Sequence, residues 1–111
     1  MTDTELLEAA AKAAGIAHEG MRFRGQGEGW GLRLAGTMAL WNPLTDDGDA
    51  LRLAVQLRII VLIYVDSTSA VTARGSEEVQ NDSDPYAATR RAIVRAAALK
   101  PGEFAMREES L

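Results

Sequence analysis

Apolar and polar positions change period several times along the chain, and each change marks an element. Leu6, Ala9, Ala10, Ala13 and Ala14 recur at helical spacing, with Glu5, Glu8 and Lys12 on the other side. Ahead of them Thr2-Asp3-Thr4-Glu5 has the form of a capping box, and Gly15 is placed to end the helix in a left-handed conformation. From Gly20 to Trp41 the period falls to two. Met21 and Phe23 alternate with Arg22 and Arg24, and Trp30, Leu32 and Leu34 with Gly31 and Arg33, as half-buried strands do. Gly25-Gln26-Gly27-Glu28-Gly29 joins the two as a hairpin. Six of the ten glycines lie between Gly20 and Gly36, so ordering this stretch is entropically costly, and it is expected to be the most mobile ordered part. A strand restarts near Thr37–Trp41.

Pro43 keeps Asn42 extended, and a second helix follows the turn. Asp46, Asp47 and Asp49 crowd its first turn, where the helix dipole favours negative charge. Ala50, Leu53, Ala54 and Leu57 form one apolar face, widened by Leu51 and Val55, and the helix ends near Leu57 or Arg58. The run Ile59-Ile60-Val61-Leu62-Ile63-Tyr64-Val65 is apolar without alternation. It fits a strand covered on both faces, or on one face and by a partner chain. Asp66-Ser67-Thr68-Ser69 reads as a turn, Ala70–Arg74 as the returning strand, and Gly75 to Asp84 as a loop. Asp84-Pro85 opens a third helix with an N-cap and a proline at its first position; Thr89, Ala92, Ile93, Ala96 and Leu99 form its inner stripe, and Lys100-Pro101-Gly102 stops it. The predicted class is α+β. The order is α-β-β-α-β-β-α, with an antiparallel sheet of about four strands in an α-β-α layered sandwich. One domain is expected over 1–100, with 101–111 a flexible tail.

Composition narrows the chemistry more than the fold. The 111 residues are 47% apolar and 25% charged, with a net charge of −4, as in ordinary globular proteins. Zero cysteines exclude disulfides, thiolate nucleophiles and every cysteine metal site, and fit a reducing compartment. The longest apolar run is seven residues against the ~20 that cross a bilayer, and the N-terminus lacks the pattern of a secretory leader. A soluble, cytoplasmic protein without membrane contact is expected.

Several constellations invite a chemical reading. Asp46, Asp47 and Asp49, with Glu77, Glu78 and Asp82, suggest a divalent-metal-dependent hydrolase; capping and dipole compensation explain the same aspartates without a metal. His18 is the single histidine, which excludes a two-histidine metal site within the chain, and no serine sits in a Gly-x-Ser-x-Gly elbow. His18 is expected in the loop before the first strand. The spaced glycines 25–31 lack the following helix that a phosphate loop needs. Residues 85–100 carry Arg90, Arg91, Arg95 and Lys100 with no anion, and Arg91 and Arg95 share a helix face. That face, with Trp30 beside its glycines, supplies the candidate partner contacts Trp30, Arg91 and Arg95. The acidic overall charge and the absence of a recognition motif argue against nucleic acid.

The strings from Trp41 to Leu57 and from Asp84 to Ala98 resemble segments of small proteins encoded by phages and prophages of Gram-negative bacteria, akin to the phage ABA-sandwich domain and the NinX-like families. The two blocks cover 32 of the 111 residues. The resemblance implies an α-β-α layered fold and brings no catalytic residue with it. The expected role is thus a non-catalytic phage or prophage accessory protein that binds a protein, either itself or a host factor. No cofactor, metal or small-molecule substrate is expected under that reading, and the metal-dependent hydrolase is its competitor.

Overall fold

The computed structural model describes residues 1–23 and 29–99. The glycine-rich connection at 24–28 and the expected tail at 101–111 lie outside the described residues. Three helices and six strands follow one another: α1 Asp3–Ala14, β1 His18–Phe23, β2 Trp30–Leu34, β3 Leu40–Trp41, α2 Asp47–Gln56, β4 Ile60–Ile63, β5 Ser67–Thr72, β6 Gly75–Gln80 and α3 Pro85–Ala97. The class is α+β, as the alternating periods imply. The sheet is divided, however. In place of one sheet of about four strands there are two antiparallel sheets, in the orders β1-β2-β3 and β4-β5-β6.

Each helix is delimited by the local chemistry visible in the sequence. Thr2 accepts the Glu5 amide while Glu5 reaches back to the Thr2 amide, and Gly15 closes α1 at φ 70°. Asp46 caps α2 through the Asp49 amide, and Asp84 caps α3 through the amides of Tyr86 and Ala87. At the end of α2 the Ile59 amide bonds back to the Ala54 carbonyl at 2.8 Å, which forces the intervening Arg58 to φ 55°. Left-handed backbone costs a side-chain-bearing residue about 1–2 kcal/mol, and glycine usually occupies this place. Arg58→Gly is therefore expected to stabilise the fold by about 0.5–1 kcal/mol, read as a higher urea midpoint at an unchanged slope.

The first sheet is the predicted hairpin plus one short strand. Leu32 pairs with Met21 on one side and with Trp41 on the other. In the second sheet β5 pairs with β4 and β6, and Ala70 lies between Val61 and Glu77. Two segments differ from expectation here. Ser67–Ser69 belong to β5 rather than to a turn, because the chain reverses within 64–66. Residues 75–80 are a strand rather than a loop: Glu77 and Val79 point inward while Ser76, Glu78 and Gln80 are exposed. An acidic residue at an inward position, Glu77, beside the outward Glu78 masked that alternation.

The helices bridge the sheets. α3 packs against β5 and β6, α1 packs against α3 and the first hairpin, and α2 packs against α3. The core that results runs through Leu7, Leu32, Leu53, Ala70 and Val94. α3 is buried along most of its length, with Val94 among its enclosed residues. The inner face of α1 is Leu6, Leu7, Ala10, Ala11 and Ala14, rotated by one residue from the predicted stripe. Leu51 and Val55 do not widen the buried face of α2, since both stand more than 60% exposed.

Candidate functional site

The three aspartates at the start of α2 are each engaged by protein partners. Asp46 caps the helix, Asp47 accepts from Arg90 Nη1 at 2.7 Å, and Asp49 accepts the Asn42 amide at 2.9 Å and Arg52 Nη2 at 2.8 Å. Asp46 and Asp49 both face the Arg52 guanidinium, and among the described residues no group of three or more His, Asp or Glu side chains gathers in a metal-holding arrangement. Among the described residues two carboxyls are perturbed, both on the surface. Glu5 is held below the usual range chiefly by the Thr2 amide and then by its hydroxyl. For Glu19 the cause is the Gly36 amide first, with the Arg33 guanidinium adding to it. A lowered folded value contributes stability above the ordinary carboxylate range, and it is lost as pH falls through the lowered value.

The basic run of α3 is largely neutralised within the molecule. Arg90 donates from Nε to the Leu44 carbonyl at 2.8 Å, besides its bond to Asp47. Arg91 meets both oxygens of Asp3 at 3.0 and 3.3 Å, tying α3 to the start of α1. Arg95 stands near Glu77 and Met1 in a shallow groove and has no ion pair among the described residues. Two of the three arginines thus hold helices together. Trp30, the other candidate contact, is half-buried at the start of β2, packs against the core and gives its carbonyl to Asn42 Nδ2. The structure does not bring Trp30, Arg91 and Arg95 into one shared hydrogen-bonded cluster.

His18 opens β1 rather than lying in the preceding loop. Its Nδ1 accepts the Gly20 amide at 3.2 Å. The shallow groove beside it is bounded by Glu8 and Lys12 of α1, and no hydroxyl side chain lines it.

The surface that stands out is the one expected to be most deeply buried. β4 is an edge strand. Ile60 and Ile63 are 59% and 67% exposed, Leu62 and Tyr64 are also exposed, and Val65 is fully exposed. The expectation of cover on both faces fails because the sheet has helix α3 on one face only. Thr68 and Ala70 of β5 turn inward, where Thr68 Oγ1 lies 3.0 Å from Thr89 Oγ1 of α3. Residues paired across a ladder share a face, so Val61 and Ile63 also point to the helix side, and Ile60 and Leu62 to the other. Among the described residues no element covers that other face.

On the helix side a groove of about 660 Å³ runs between β4, α2 and the start of α3, with Ala50, Leu51, Ala54, Val61 and Ile63 in its wall. Exposed apolar surface therefore continues from the edge of β4 to Leu51 on α2. Contiguous patches of this kind are unusual on a monomer and mark contact sites. The signal was present in the sequence as an apolar run without alternation, one of whose two readings was cover by another chain. Comparison with models of protein families, with curated proteins and with solved structures finds no match to the chain.

Proposed function

We propose that this chain is a protein-recognition module whose working part is the edge of β4 with the apolar surface around it. A single observation carries the reading: a bare strand edge of aliphatic and aromatic residues with no charge between Ile59 and Val65. Strand edges are ordinarily blunted by lysine, proline or a bulge, because an exposed edge pairs with other chains. Here none of these devices interrupts the strand. Main-chain groups along such an edge supply affinity and the alternate side chains supply selectivity, as in strand-addition recognition. In this reading the protein is a non-catalytic accessory factor of phage or prophage origin that works in the cytoplasm. The two resembling blocks support the origin, and the cysteine-free sequence supports the compartment. The aspartates of α2 serve the fold, each being engaged in a cap or an ion pair.

A photoreactive residue placed at Val65 tests the reading in living cells that produce the chain. Light is expected to yield a covalent adduct with a protein from position 65 and none from position 12 on the exposed face of α1. Absence of an adduct at 65, or equal yields at both positions, would sink the proposal.

A further inference from the structure

We draw no further inference here: the strongest candidate, the apolar groove between α2, β4 and the start of α3, continues the exposed edge of β4 already described, and nothing in the structure shows what covers it.

Discussion

Asn42→Ala is expected to destabilise the fold by about 2–4 kcal/mol, a large part of the roughly 5–15 kcal/mol that holds such a domain together. Asn42 is 3% exposed and joins three pieces of chain. Its Nδ2 donates to the Trp30 carbonyl and its Oδ1 accepts the Leu44 amide, both at 2.9 Å. Its own amide goes to Asp49 Oδ2, which fixes the entry to α2 against β2 and β3. Alanine removes the side-chain donor and acceptor together, and leaving a buried group unpaired costs about 1–3 kcal/mol each. Asn42→Asp separates the two bonds, since it keeps an acceptor for Leu44 and loses the donor to Trp30. It also sets a negative charge near Asp49. At neutral pH it is expected to be about as unstable as the alanine variant, and to recover relative to it as acid protonates the new carboxyl. Urea unfolding at one fixed protein concentration measures both, because association would make stability depend on concentration. Equal midpoints for wild type and Asn42→Ala would show that the junction relaxes without it.

The sequence displayed Asn42 as a pre-proline residue in a turn, which is what its backbone does. Its side-chain partners are invisible there, because Trp30 lies twelve positions upstream on another strand. The same division holds through the molecule. Caps at Thr2, Asp46 and Asp84 and the stop at Gly15 are contacts between residues a few positions apart, and each was legible. Ion pairs such as Arg91 with Asp3 depend on which helices meet, so the basic face of α3 looked free in the sequence.

The second sheet illustrates the point at larger scale. The apolar run 59–65 has no alternation, and periodicity alone does not tell a buried strand from an edge strand awaiting another chain. The answer depended on where β6 went, and β6 was hidden behind the acidic residues Glu77 and Glu78. Once residues 75–80 pair with β5, β4 is left at the edge, and the most apolar segment becomes surface. The proposed recognition edge and the missed strand therefore depend on the same pairing of β6 with β5.

The other large effect is expected at Leu7. α1 holds alanine at positions 9, 10, 11, 13 and 14, so two stripes one residue apart look equally apolar, and leucines 6 and 7 are compatible with both. In the structure Leu7 is fully enclosed with Ala10, Ala11 and Ala14, while Ala9 and Ala13 are only half-buried. α1 rests on α3 through this face, so there is little freedom to collapse around a lost side chain. Leu7→Ala is expected to cost about 2–5 kcal/mol, the range for a leucine cut back in a close-packed core. Ala13→Ser, on the other stripe, should cost less than about 1 kcal/mol, mostly helix propensity. Chemical denaturation of the two variants side by side reads the rotation of α1 directly. The reverse ranking, with Ala13→Ser the more damaging, would put the other stripe against α3 and displace Arg91 from Asp3, since that pair sits on the same contact.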